Sequence, residues 1–433
     1  MSEGVVSGAA YEAGELERER FTRLNFKHNF LIMLADSISF QLATSLMSQV
    51  TILPLFVREI TNSTLAVGLI TAIASLGTLL PAIFVAGYIE QKAIQKWYLF
   101  IVALIERFPI LALSILTPLL GRSNPDLLLW VFFGAWIMHN LAMGLNMPSY
   151  FNLFSKVIPP NRRGITWGLG GTIGGLLAIL GSSLSGVLLE RYGFPDAFAL
   201  IFFIAFVILF VGILGFPFTR ELPSEDVTRH RSILEYLRRA PKVLLEDREF
   251  GLFVGAQAIY TLAFMASAFY TAYAIDRFGA SPQQVALFTT ILMGSNTVAN
   301  LLYGTLADRR GNKIVLQVAM SSGVIAPLIA AMAPSIEWFY IVFALNGLMI
   351  VGSNMGSSNM PLEFAPPGQV PTYSSINMAI TAPLRSLVPI LGGVIAGYGY
   401  AIIFVIAMMA ALLALLVTSM LVRDPRFTRS TKL

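Results

Sequence analysis

The sequence predicts an all-α membrane protein with twelve transmembrane helices, and three observations carry that prediction. Of its 433 residues, 56% are hydrophobic and only 12% are charged, about half the charge of an average soluble domain. Mean hydropathy is +0.72, so a folded soluble chain of this length would expose large apolar patches. The apolar residues also gather into twelve runs. Each is near the roughly 20 residues a helix needs to cross a hydrocarbon core, at about 1.5 Å rise per residue. An ordinary cytosolic enzyme, a nucleic-acid-binding module and a disordered chain are excluded. With no cysteine, disulfides, thiolate metal sites and cysteine nucleophiles are excluded too.

Taken in order, residues 1–28 form a polar tail, acidic then basic (Glu12, Glu15, Glu17, Arg18, Glu19, Arg20, Arg23, Lys27). It lacks the apolar core of a secretory signal. The spans are placed at 29–57, 65–89, 97–118, 127–154, 164–189, 195–217, 251–275, 283–306, 314–333, 337–361, 373–396 and 399–421. Connections are short except for 218–250, which separates a first half (29–217) from a second (251–422); residues 423–433 form a tail. Within 218–250, Ile233, Leu234, Leu237, Val243 and Leu244 stand among Arg238, Arg239, Lys242 and Glu246. That pattern suits a helix lying along the membrane face.

Charge sets the expected orientation. With both termini in the cytoplasm, 23 of the 29 Lys and Arg residues fall inside, and Arg58, Arg122, Arg191 and Arg277 fall outside. Cytoplasmic loops collect Lys and Arg, so this excess, and the net charge of +5, read as topology in a cell (inner) membrane. They are not a nucleic-acid signal.

The two halves repeat one another. Gly304-Thr-Leu-Ala-Asp308-Arg309-Arg310-Gly311-Asn312-Lys313 closes the eighth span, and Gly87-Tyr-Ile-Glu90-Gln91-Lys92 through Lys96 occupies the same place after the second. Asn146-Met147-Pro148 recurs as Asn359-Met360-Pro361, and Pro159-Pro160 as Pro366-Pro367. In these residues the chain resembles the major facilitator superfamily over about residues 25–425. The segment 304–313 is similar to that family's loop G-x-L-A-D-R-x-G-x-K. Pro160-Asn161-Arg162-Arg163-Gly164 resembles the family segment between the fourth and fifth helices. Pro389-Ile-Leu-Gly392-Gly393 resembles part of an antiporter glycine-proline motif, displaced here from the fifth helix to the eleventh. The resemblance implies two pseudo-symmetric six-helix bundles, with the substrate site between them at mid-membrane and alternating access to it. Independently, the glycines of the fifth span (Gly168, Gly170, Gly171, Gly174, Gly175, Gly181, Gly186) predict close helix packing in lipid.

Four charges fall inside spans: Asp36, Glu106, Arg107 and Arg385. A charge at a helix centre costs about 2.5–3.5 kcal/mol on insertion scales, so each should face the bundle interior or a wet cavity. Asp36 is a proton-coupling candidate or a structural hydrogen-bonder. Glu106 and Arg107, as neighbours about 100° apart on a helix, are expected not to pair with each other; Arg107–Asp36 or Glu106–His139 contacts would serve instead. His139 is either a proton relay or a structural group. Drug-efflux members of the family carry an arginine four residues before a glycine such as Gly144, where this chain has Asn140. Arg385 either attracts an anionic substrate or a carboxylate, or else caps helix carbonyls. Gln41, Gln257, Tyr260, Asn296, Asn300, Asn346 and Asn377 complete the cavity candidates, as substrate ligands or as interhelical glue.

By resemblance, Asp308 braces a cytoplasmic gate with Gly304, Arg309, Gly311 and Lys313, against Arg162 and Arg163. The first-half copy has Gln91 in place of the aspartate. Lys92 or Lys96 then either reaches Glu363 or stays solvated. No cofactor, metal-ligand spacing or nucleotide loop appears. The expectation is a monomeric secondary transporter in the lipid bilayer, coupled to protons and moving a small-molecule solute, with export of amphipathic compounds ahead of other modes. An uptake symporter for a sugar or organic acid, and a non-transporting receptor or scaffold, are the alternatives.

Overall fold

A computed structural model of the chain describes residues 17, 20–90, 92–223, 233–366 and 369–424. It is helical throughout these residues, and twelve of its helical segments are long and apolar enough to cross a membrane. The first crossing is split into α1 (Phe26–Leu46) and α2 (Ile52–Ile60), and α3 (Thr64–Glu90), α4 (Lys96–Ser123), α5 (Pro125–Val157), α6 (Arg163–Tyr192) and α7 (Asp196–Ile213) follow. The short α8 (Ile233–Glu246) occupies the connection where the sequence predicted a helix along the membrane face. The seventh crossing is again divided, into α9 (Arg248–Thr261), α10 (Phe264–Ser267) and α11 (Tyr270–Phe278). The rest are α12 (Pro282–Arg310), α13 (Asn312–Met332), α14 (Trp338–Phe364), α15 (Val370–Ala396) and α16 (Tyr400–Met420).

Two expectations are corrected by this order. The spans 29–57 and 251–275 are not continuous helices: each breaks in the half nearer Arg58 and Asp276. Neither break contains glycine or proline, so local propensity does not mark it. Around the seventh crossing the backbone tightens to i→i−3 bonds, with Ala263 N donating to Tyr260 O at 2.9 Å and Phe269 N to Ala266 O at 3.0 Å. At the first, the carbonyl of Val50 leaves the helix ladder and accepts from Thr271 Oγ1 at 2.8 Å. A side chain of the seventh crossing therefore satisfies a carbonyl freed in the first, a tertiary remedy that a sequence window cannot see.

Below, the face carrying Arg58 and Asp276 is called outer and the face carrying Asp308 inner, following the charge asymmetry of the loops. The largest core runs across both halves at the outer end. Phe56, Phe132, Phe198 and Phe202 of the first half are continuous there with Phe269, Tyr270, Phe288 and Phe339 of the second. Inner ends have separate cores: Met33, Leu99, Leu153, Phe154 and Phe216 in one half, and Phe250, Phe253, Met360 and Phe364 in the other. The halves meet along α6 with α12 and along α3 with α15.

Of the seven glycines named in α6, Gly170, Gly174, Gly175, Gly181 and Gly186 sit at close helix contacts, whereas a Cβ on Gly168 or Gly171 would meet nothing within 4 Å. A Cβ on Gly174 would lie 2.5 Å from Gln41 Nε2, and one on Gly175 would lie 2.5 Å from Thr297 Oγ1 across the halves. Loss of a side chain is what permits this approach where lipid offers no hydrophobic drive. At the inner end the buried Glu221 carboxylate accepts from the backbone N–H of Gln95 and Lys96 at 3.0 Å, capping α4, and pairs with Lys156 at 3.0 Å. An anion at a helix N-terminus is favoured by the unpaired N–H groups and the dipole. This ties the segment after α7 to its own half.

Candidate transport cavity

Between the halves lies a central cavity of about 520 Å³. Its ceiling is formed by both broken helices: Met47, Ser48, Gln49 and Val50 from the first crossing, and Phe264, Ser267 and Ala268 from the seventh. A second cavity of about 560 Å³ shares Thr44, Met293, Asn296 and Ile350 with it, and continues past Asn300, Asn354 and Asn359 towards the inner side.

The outer end is shut by contacts between the halves. Arg58 Nη2 donates to Asp276 Oδ2 and to Tyr400 OH, both at 2.6 Å. Thr51 and Thr289 hydroxyls bond at 2.6 Å, and Thr64 Oγ1 donates to Gly393 O at 2.8 Å. On the inner side Asp308 is exposed and makes no hydrogen bond or ion pair with a described residue. The expected partners are occupied within their own half: Arg163 donates to Ser155 O at 2.6 Å and Ile158 O at 3.2 Å, and Arg162 lies over the Phe26 ring at 6.0 Å. Lys313 Nζ donates to Ser419 O at 3.4 Å, and Arg309 is exposed. Gly311, at φ 91°, makes the turn between α12 and α13 in a conformation that favours glycine. A Cβ on Gly304 would meet nothing within 4 Å.

Glu363 accepts from Asn312 Nδ2 at 2.7 Å within its own half, and Lys96 Nζ donates to Thr219 O at 2.9 Å. Those contacts replace the expected Lys96–Glu363 bridge. Gln91 and Pro367, with Glu12, Glu15, Arg18 and Glu19 of the tail, lie outside the described residues.

A third cavity of about 300 Å³ lies inside the first half. It gathers Asp36, Glu106, Arg107, Asn146 and Tyr150, and Gln41 lines it too. Here another expectation is corrected, because Glu106 and Arg107 do pair, Nη1 to Oε2 at 2.9 Å, both nearly fully buried. The 100° between neighbours separates their Cα–Cβ directions, but the long arginine side chain curls back along its helix. Its Nη1 also donates to Ala103 O at 3.1 Å, and Nε reaches Leu209 O at 3.3 Å. Asn146 Nδ2 donates to Glu106 Oε2 at 3.2 Å. Asp36, 8% exposed, makes no hydrogen bond or ion pair with a described residue. His139 bonds through Nδ1 to the backbone carbonyl of Glu106, not to its carboxylate, at 2.8 Å. It stacks on Trp136, whose Nε1 donates to Ile70 O at 2.9 Å.

Of the remaining candidates, His139, Asn140, Asn296 and Arg385 line the central cavity, and Gln41, Asn296 and Asn300 line its inner extension. Four lie elsewhere, in the packing of the second half. Gln257 donates to Ser357 Oγ at 2.8 Å, Tyr260 OH to Ala319 O at 2.8 Å and Asn377 to Ser357 O at 3.1 Å. Asn346 is fully buried. Sequence reasoning missed Phe40, Met143 and Trp136, which line the cavity like any core residue. It also missed the Arg58–Asp276 latch. A signal existed there, since the two charges end the first crossing of each half 218 positions apart, close to the 217 that separate Gly87 from Gly304.

A cavity closed at one face and walled by two helical halves is the architecture of a membrane transporter. The sequence profile of the Major Facilitator Superfamily matches residues 36–276 and 252–433, and the chain belongs to that family. The structure is similar to a D-xylose-proton symporter (TM-score 0.70, 15% identity, 93% of this chain and 99% of that one). It is also similar to the nucleoside transporter NupG (0.62, 14%, 90% and 98%). A bacterial homologue of the iron transporter ferroportin, in an inward-facing state, aligns with TM-score 0.66 at 15% identity over 90% and 98%. The human "Putative transporter SVOPL" is 34% identical over 73 residues, 17% of this chain and 15% of that one. The family and these neighbours are transporters, not enzymes. The fold supports secondary transport of a small solute by a multi-pass membrane protein.

Proposed function

We propose that the protein is a proton-coupled transporter that exports a small amphipathic organic solute from the cytoplasm, across a cell membrane in which both termini face inside. Residues 29–217 and 251–422 act as two bundles that rock about the central cavity. The observation that carries the reading is a buried carboxylate, Asp36, with no hydrogen-bond or ion-pair partner among the described residues, set in a cavity that Phe40 and Met143 share with the central one. A carboxylate so placed can exchange a proton as its surroundings change from dry to wet. Arg107, paired to Glu106 a short distance away, offers a cation towards which Asp36 can turn when ionised. Aromatic and methionine walls suit an apolar solute body, and the amides of Asn140, Asn296 and Asn300 offer polar contacts.

Asp308 serves the opposite state. Unpaired while the inner side is open, it is placed to brace α12 against the Arg162–Arg163 segment when that side closes. Flux into proteoliposomes under an imposed pH gradient tests the transport reading. Accumulation that follows the gradient supports it. Absence of flux for every solute in a metabolite and drug panel favours a receptor or scaffold, and flux driven only inward favours an uptake symporter.

A further inference from the structure

Among the described residues, the central cavity carries one fixed charge and no counter-charge. Among its lining residues Arg385 is the sole Lys, Arg, Asp or Glu, and the inner extension contributes none. Among the described residues, Arg385 makes one hydrogen bond, from Nη2 to Ser357 Oγ at 3.1 Å, and it sits over the Phe264 ring at 5.8 Å. Ser357 Oγ already accepts from Gln257 at 2.8 Å, so it is a shared, neutral acceptor. Arg385 Nε is buried with no acceptor at all. A guanidinium has five N–H donors in a planar fork, and most of this fork is unused. The acids of the first half do not reach it: Asp36 and Glu106 lie in the separate pocket beyond Phe40 and Met143, where Glu106 is committed to Arg107.

Leaving a cation in a confined site without a counter-charge is costly, and Ser357 and Phe264 offset only part of that cost. We infer that the central cavity is an anion site, and that the transported solute is an amphipathic organic monoanion whose carboxylate-like group seats on Arg385. Its apolar body lies along Phe40, Trp136, Met143 and Phe264. The planar fork suits two parallel bonds to a carboxylate. A cavity of about 520 Å³ is in the range that encloses a small organic ligand. This inference rests on the proposal that solute passes through the cavity, and it names the solute's charge class.

The chain has no cysteine, so one introduced by Met293→Cys, on the cavity wall, reports the local field. Its modification rates by anionic 2-sulfonatoethyl methanethiosulfonate and by the cationic 2-(trimethylammonium)ethyl reagent are compared in purified protein. The anion-to-cation rate ratio should fall about fivefold or more with Arg385→Gln and stay within about twofold with Arg385→Lys, because a cavity focuses the field of a fixed charge. Benzoate should slow the modification more than benzamide does, and Arg385→Gln should abolish that difference. A ratio indifferent to Arg385→Gln, or equal protection by benzoate and benzamide, overturns the inference. The Lys variant, monodisperse on size exclusion, separates loss of charge from loss of fold. Neither readout needs flux. Charge-dependent labelling without flux removes the transport reading and keeps the anion site; flux with charge-blind labelling does the reverse.

Discussion

Gly68 is the position where the smallest change should move the largest equilibrium. It faces the backbone of α15, and a Cβ added there would lie 2.3 Å from the carbonyl oxygen of Pro389 and 3.3 Å from the Phe269 ring. The oxygen belongs to the backbone and cannot swing aside, so α3 and α15 must separate by about 1 Å to restore ordinary contact. Overpacking of this kind costs about 1–3 kcal/mol. The cost falls only on the state whose outer end is shut, so it acts as a differential term between conformers. Gly68→Ala should therefore raise the outward-open to inward-open ratio by about 5–150-fold. With Thr71→Cys on the cavity wall, a membrane-impermeant thiol reagent added from the outer side should label faster in that proportion. Gly134→Ala, where a Cβ meets nothing within 4 Å, is the control. Labelling within twofold of the parent for a folded Gly68→Ala protein would refute the reasoning.

Asp36→Asn should leave solute binding intact while uncoupling flux from the pH gradient; gradient-driven accumulation at the parent level would sink the proton role. Asp308→Asn loses no bond in the conformer seen here, so it should favour inward-open and speed labelling of inner-side cysteines; unchanged rates would argue against the inner brace. Asp276→Asn removes the counter-charge of Arg58, whose side chain is only 5% exposed, and should raise outer-side labelling a few-fold, read by the same Thr71→Cys probe. Trp136→Phe removes the bond to Ile70 O and should lower the unfolding midpoint in detergent, by about 0.5–1.5 kcal/mol of stability. An unchanged midpoint would show that the indole N–H is dispensable.

Most of the architecture was legible because lipid imposes it. Each crossing must be a helix of sufficient length, and the basic residues sort by side. Repetition of the Asp308 loop and of the Asn-Met-Pro segments exposed the internal duplication. Less of the site was legible. Asp36 and Arg385 were singled out by charge alone, since a charge in a span is expensive wherever it points. Gln257, Tyr260 and Asn377 look identical in sequence to cavity amides and phenols, yet their partners are Ser357 and Ala319 inside the second half. The direction of a polar side chain depends on which neighbour satisfies it, and that neighbour lies on another helix.

Composition, periodicity and the repeated loop by themselves determined that this chain spans the membrane twelve times in two related halves, because burial in lipid leaves few other solutions. Only the tertiary structure decided which end is shut, that the first crossing of each half breaks to roof the cavity, and that Glu106 takes Arg107 while Arg385 finds no acidic partner among the described residues. The shut end and the roof turn on contacts between groups more than 200 positions apart, such as Val50 with Thr271 and Arg58 with Asp276. A hydrogen bond or ion pair of that kind is fixed by three-dimensional distance, which no local pattern encodes.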